Sequence, residues 1–133
     1  MSRSYYHPSV GDLDLAEVLR ALADPIRLRI VELLLEGGET TCAPLAVEVG
    51  IADSTLSHHL RQMREAGVTR TRADGVLRWT SLRTDDLETR FPGFLGWLQN
   101  SLRPKPAVAA RTSGARHSPS ARRRNPRSVT AAK

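Results

Sequence analysis

The architecture of this chain turns on residues 53–67, DSTLSHHLRQMREAG. At about 100° per residue, a helix through this stretch sorts its side chains onto two sides. Leu56, Leu60 and Met63 share one side, which must face a core. Ser54, His58, Arg61 and Glu65 point the other way, with Ser57 and Gln62 on the flanks. Asp53 is placed to cap the start and Gly67 to stop the end. The adjacent histidines diverge by the same ~100°, whereas histidines that share a zinc ion on a helix sit at i, i+4. This pair alone cannot chelate one metal. His59 lies nearer the apolar stripe and reads as a packed, hydrogen-bonded core residue. His58 stands among hydroxyls, an amide and a guanidinium. Such a face is either an ordinary solvated one or a donor and acceptor surface able to read base edges in a major groove.

The neighbouring segments narrow that choice. Upstream, TTCAPLAVEVG (40–50) reads as a short helix capped by Thr40 or Thr41 and closed at Gly50, with Pro44 tolerated in its first turn. The link Gly50-Ile51-Ala52-Asp53 then makes a helix-turn-helix. Downstream, from Val68 to Leu82, the period changes to runs rich in Val, Thr and Trp around Asp74-Gly75, a dipeptide suited to a type I′ hairpin turn. A hairpin in that place makes the helix-turn-helix a winged one, and Arg70, Arg72 and Arg78 become candidate phosphate or minor-groove contacts. Ser54, Thr55, Ser57, His58, Arg61 and Gln62 form the candidate reading surface of the recognition helix.

The rest of the chain supplies a scaffold. Leu15, Val18, Leu19 and Leu22 recur at helical spacing and stop at Asp24-Pro25, where a second helix begins with Asp24 as cap and Pro25 in the first position. Its buried face is Ile26, Ile30, Leu33 and Leu34, and Gly37-Gly38 ends it. After Thr84, a plausible cap, Leu87, Phe91, Phe94, Leu95 and Leu98 line a fifth helix that Pro92 must kink or restart near residues 90–93. The organisation is a flexible arm over 1–11, one domain over 12–102 and a disordered basic tail over 103–133.

Charge and composition set limits. The net charge is +6, but nine of the twenty Lys+Arg lie in residues 103–133, which hold no acid, leaving eleven against fourteen Asp+Glu ahead of them. Nucleic-acid binding by the domain must therefore rest on where its charges sit. The tail either strengthens duplex binding without regard to sequence or is a solubilising extension. The single cysteine, Cys42, precludes an intrachain disulfide, and the longest apolar run, IVELLL, is far short of the ~20 residues that span a bilayer. A cytoplasmic, nucleoid-associated protein without a membrane partner is the expectation. There is no catalytic triad, phosphate loop or carboxylate pair in a pocket-forming context, so an enzyme is not expected.

ALADPIRLRIVELLLEG (21–37), LAVEVGIADSTLSHHLRQMREAGV (45–68) and the hairpin leading to WTSLRTDDL (79–87) together resemble the ArsR/SmtB group of bacterial repressors over about Asp12 to Leu102. The resemblance implies a mainly α fold with a small β-hairpin wing, a homodimeric winged helix-turn-helix of five helices. It implies a dimer interface from the first and last helices, supplied here by Leu15, Val18, Leu22, Leu87, Phe91, Phe94 and Leu98. It also implies DNA reading by Ser54, Ser57 and His58, with Thr55 close by, at an inverted-repeat operator. Asp53 departs from the amide more usual at its position and is assigned to capping. A winged-helix protein-interaction module and a nonspecific architectural DNA binder are the competing readings.

Members similar to this protein often bind metals, and here the sequence departs from them. The arsenic-type site places two cysteines one residue apart at the start of the third helix, where ETTCAPL carries Thr41 and Ala43 with Cys42 between. One thiolate cannot hold a soft trivalent ion. Zinc and nickel sensors carry Asp and His ligands on the last helix, where this chain has Asp85, Asp86 and Glu88 but no histidine. No metal cofactor is therefore expected, and the inducer is not identified. His7, as a ligand across the dimer, and Cys42, as an oxidation-sensitive thiol or a small buried apolar residue, remain open.

Overall fold

A computed structural model describes residues 5–104. Six α-helices and three short strands run in the order α1 (Leu15–Leu22), α2 (Pro25–Gly37), β1 (Thr40–Thr41), α3 (Cys42–Val49), α4 (Asp53–Glu65), β2 (Thr69–Asp74), β3 (Leu77–Leu82), α5 (Thr84–Arg90) and α6 (Phe94–Leu102). A single 3-10 turn, Val10–Asp12, precedes them. The core is built from one stripe per helix: Val18 and Leu22 of α1, Ile30, Val31 and Leu34 of α2, Leu45 and Ala46 of α3, Leu56, Leu60 and Met63 of α4, Leu87 of α5 and Leu98 of α6. Each large apolar side chain so buried contributes roughly 1.5–3 kcal/mol.

The DPIR segment shows why α2 begins where it does. The Asp24 carboxylate accepts from the Arg27 backbone N–H at 3.0 Å, and Pro25 fills the first turn, where its missing N–H costs nothing. Arg27 then ties three helices together. Its Nη1 donates to the Ala21 carbonyl at the end of α1, and its Nε donates to His59 Nδ1 on α4 at 3.1 Å.

On α2 the buried residues are Ile30, Val31 and Leu34, with Ile26 and Leu33 only half-buried, and in five further places the structure departs from the sequence reading. The fifth helix breaks where Pro92 was expected to break it, but the two pieces are separate helices, α5 and α6, making six in all, because Pro92 cannot continue the ladder and Gly93, at φ 86, turns the chain; the Gly93 N–H donates to Glu88 Oε2 instead. Asp53 and Thr84 are the first residues of their helices, with Ala52 and Arg83 in the cap positions, and none of the four makes a side-chain cap bond. The sheet has three strands in the order β1-β3-β2, since Thr40 and Thr41 pair with Thr80 and Trp79. The hairpin loop is Gly75-Val76, because Asp74 pairs with Leu77. Only Gly75 has positive φ there (63), the pattern of a type II′ turn.

The fifth departure is the arm. Tyr5, His7 and Pro8 pack onto the domain: His7 Nε2 accepts from the Thr71 backbone N–H at 3.0 Å, Pro8 is buried, and the Arg64 guanidinium sits 5.1 Å over the Tyr5 ring. Residues 1–4 and the basic tail beyond residue 104 lie outside the described residues. Among the described residues no helix is long and apolar enough to cross a membrane.

Candidate nucleic-acid interface

The turn before α4 is set by Gly50. At φ 83 it takes the left-handed conformation that ends α3, and the Ala46 carbonyl accepts from both the Gly50 and Ile51 N–H groups. This aims α4 away from α3 and leaves its outer face free. Leu56, His59, Leu60 and Met63 are buried, while Ser54, Thr55, Ser57, His58, Arg61 and Gln62 are all exposed. The expected division of the helix is thus what the structure shows, including the two histidines.

His59 belongs to the interior. Burial pushes its pKa below the ordinary histidine value; Asp24, whose Oδ2 lies 4.0 Å from Nδ1, opposes this, and Arg27 and His58 reinforce it. Because Arg27 already donates to Nδ1, the ring is neutral with its proton on Nε2. His58 is solvent-facing, its ring centroid 5.9 Å from that of His59, with Gln62 Nε2 3.5 Å from its own Nε2.

The three wing arginines part company. Alternation along the strands puts Arg78, opposite Ala73, on one face of the hairpin, and Arg70 and Arg72, opposite Ser81 and Trp79, on the other. Arg70 pairs with Asp86 at 2.9 Å. Arg72 makes a two-bond clamp on Glu39 at 2.8 Å, which holds that carboxyl below the usual range, and lies over the Trp79 ring. Arg78 instead lines a surface groove with Ser54, Ser57, His58 and Arg61 of α4. Two further groove residues escaped the sequence reading, Arg64 and Tyr5. Arg64 follows Ser57 by seven residues and Arg61 by three, so helical periodicity alone was enough to find it. Tyr5 carries no local signal, because the arm reaches the groove only through the fold.

The groove is strongly cationic although residues 1–102 are net acidic. Arg61, Arg64 and Arg78 line it, no Asp or Glu does, and none of the three is ion-paired among the described residues. Placement of charge supplies here what net charge does not. No group of three or more His, Cys, Asp and Glu side chains gathers among the described residues. Of the residues expected at a dimer interface, Val18, Leu22, Leu87 and Leu98 are buried within the single chain, and Leu15, Phe91 and Phe94 retain exposure.

Comparison with known proteins identifies the family. Residues 22–72 match the model of a helix-turn-helix domain family. The HTH-type transcriptional regulator YceK of Bacillus subtilis is 40% identical over 81 residues, covering 60% of this chain and 81% of that protein. The transcriptional repressor SdpR of the same organism is 31% identical over 83 residues, 62% of this chain and 87% of the relative. A crystal structure of an ArsR family transcriptional regulator aligns with a TM-score of 0.52 at 25% identity, over 68% of this chain and 93% of the other. With its helix-turn-helix, its wing and relatives matched over most of their length, the chain belongs to the ArsR family of DNA-binding transcriptional regulators.

Proposed function

We propose that the protein is a repressor that binds an inverted-repeat operator as a homodimer, with α4 in the major groove. The observation that carries this is the joint one at the groove: an exposed polar face on α4 beside three guanidiniums with no acid among them. Ser54, Thr55, Ser57, His58, Arg61 and Gln62 face the bases and nearby phosphates. From the wing, Arg78 is the phosphate contact, and Arg70 and Arg72 engage DNA only by giving up Asp86 and Glu39. The name of SdpR supports repression as the direction of regulation. Such a protein works at the nucleoid, in the cytoplasm.

Symmetry is supported by the apolar surface left uncovered in the single chain. Leu15 and Leu19 on α1 are 46% and 45% exposed, and Trp97 on α6 is 61% exposed with its ring stacked on Phe94. A second copy is the natural cover for such exposed apolar side chains, and a two-fold pair would present recognition helices about 34 Å apart. No metal is required as effector, since Thr41 and Ala43 hold the two positions where the arsenic-type site has cysteines.

A mobility-shift titration on the DNA upstream of the protein's own gene tests the reading. A retarded complex with the native fragment, well below the concentration that shifts scrambled duplex, is the expected result. His58→Ala with Arg61→Ala should remove about 1–3 kcal/mol of that discrimination per lost base contact. Equal affinity for scrambled duplex would make this an architectural binder, and no duplex affinity at all would make it a protein-interaction module. Deleting residues 105–133 should lower the salt slope of binding without changing operator preference.

A further inference from the structure

Behind the reading face lies a small half-open cleft of about 50 Å³, between α4, the start of α3 and the inward face of the hairpin. Its hydrogen bonding is incomplete. Thr80 is 1% exposed, and its Oγ1 has no partner among the described residues; nor has the buried Nε of Arg64. Both residues line the cleft. A buried polar group left unpaired costs roughly 1–3 kcal/mol, and native interiors answer such groups with a bound water or ion.

The charge in the cleft selects between those two answers. Arg64 and Arg78 both line it, without an ion pair among the described residues, and no Asp or Glu shares the wall. The Arg64 guanidinium carbon lies 5.1 Å from the centroid of the Tyr5 ring, within cation–π range. Cys42 brings no negative charge, because burial pushes its thiol pKa up against the pull of Arg78, and the nearby Asp53 carboxylate adds to the rise. Ser57 and Thr71 contribute hydroxyls to the same wall. Water satisfies a dipole but carries no charge to set against the two guanidiniums that line the cleft.

We propose that this cleft is a binding site for a small oxyanion of the size and charge of inorganic phosphate, held by Arg64, Arg78 and the Thr80 hydroxyl. An oxyanion accepts from two planar guanidinium edges and a hydroxyl together, which a neutral ligand or a compact halide cannot do. The phosphoryl group has two sources, free anion in solution or the backbone of bound duplex. Only the second rests on the DNA-binding reading above.

The test titrates inorganic phosphate into the full chain at constant ionic strength, with chloride as the balancing anion, and follows binding by calorimetry and amide chemical shifts. Saturable single-site uptake is expected, weakened about tenfold or more by Thr80→Val and by Arg78→Gln, and unchanged by Arg29→Gln, which alters an exposed arginine of α2 paired with Glu32 and outside the cleft. Arg78 is exposed, so its variant remains informative should the buried Thr80 substitution impair folding. The same variants are then titrated with duplex in phosphate-free buffer. If the free protein takes up no phosphate, but Arg78→Gln and Thr80→Val both weaken duplex binding, Arg78→Gln lowers its salt slope by about one, and Arg29→Gln does neither, the backbone is the source. Phosphate uptake indifferent to both cleft variants overturns the proposal. So does the absence of uptake together with duplex binding that Arg78→Gln leaves intact, and a protein without any duplex affinity is still judged by the first titration.

Discussion

Gly67 shows how much one residue can carry. It sits at φ 89 just after α4, and a Cβ there would overlap the side chain of Leu13 and crowd Pro8. Gly67→Ala therefore combines a left-handed conformation, about 1–2 kcal/mol, with overpacking of about 1–3 kcal/mol. A loss of roughly 2–5 kcal/mol in urea unfolding is expected, and a loss below 1 kcal/mol would show that the arm yields freely. The histidines give the pH dependence. Burial lowers the pKa of both His7 and His59; for His7 the nearby Arg83, Arg64 and Arg70 add to the effect, with a backbone bond to Tyr5 opposing it. Unfolding restores ordinary proton affinity, so between the depressed folded values and the ordinary one the unfolded chain binds more protons. Stability is fully present above the ordinary histidine value and declines as pH falls into that window. The melting temperature should drop on acidification from neutral pH, with a shallower drop in His7→Gln, whose side chain does not titrate.

At the scale of elements, the hairpin is the instructive case. Placing the turn at Gly75-Val76 rather than Asp74-Gly75 slides the register by two residues, so each side chain keeps its face. That Arg78 lies opposite Arg70 and Arg72 was therefore legible from alternation alone. Which face meets α4 was not, because strand periodicity says nothing about what packs on either side. Gly75→Val should destabilise the hairpin by about 1–2 kcal/mol, since a β-branched residue resists φ of 63, while Gly75→Asn should cost less. Amide hydrogen exchange across residues 69–82 measures the difference, and equal protection in both variants would contradict the turn assignment. The break at Pro92 was equally readable in the sequence. The caps of α4 and α5 were not, because each helix starts one residue away from the side chain best suited to cap it.

At the scale of the molecule, the apolar residues divide into those that hold the chain together and those available to hold two chains. Leu19→Glu changes an exposed position on α1, so the single chain should keep its fold within about 0.5 kcal/mol. The proposed homodimer should then fail to form, seen as monomer mass in sedimentation, with operator affinity falling as the second recognition helix is lost. A variant that stays dimeric would place the interface elsewhere. The core stripe of α4, the Asp24-Pro25 start, the interior place of His59 and the exposed polar face of α4 are local facts of spacing and capping, and all of them stood in the amino-acid order. The seat of the arm, the joining of Tyr5, Cys42, Arg64, Arg78 and Thr80 around one cleft, and the retirement of Val18, Leu22, Leu87 and Leu98 into the core came from the packed chain. Periodicity tells a side chain which way to point from its own helix or strand. What it meets there is supplied by segments tens of residues away, and no local pattern encodes their position.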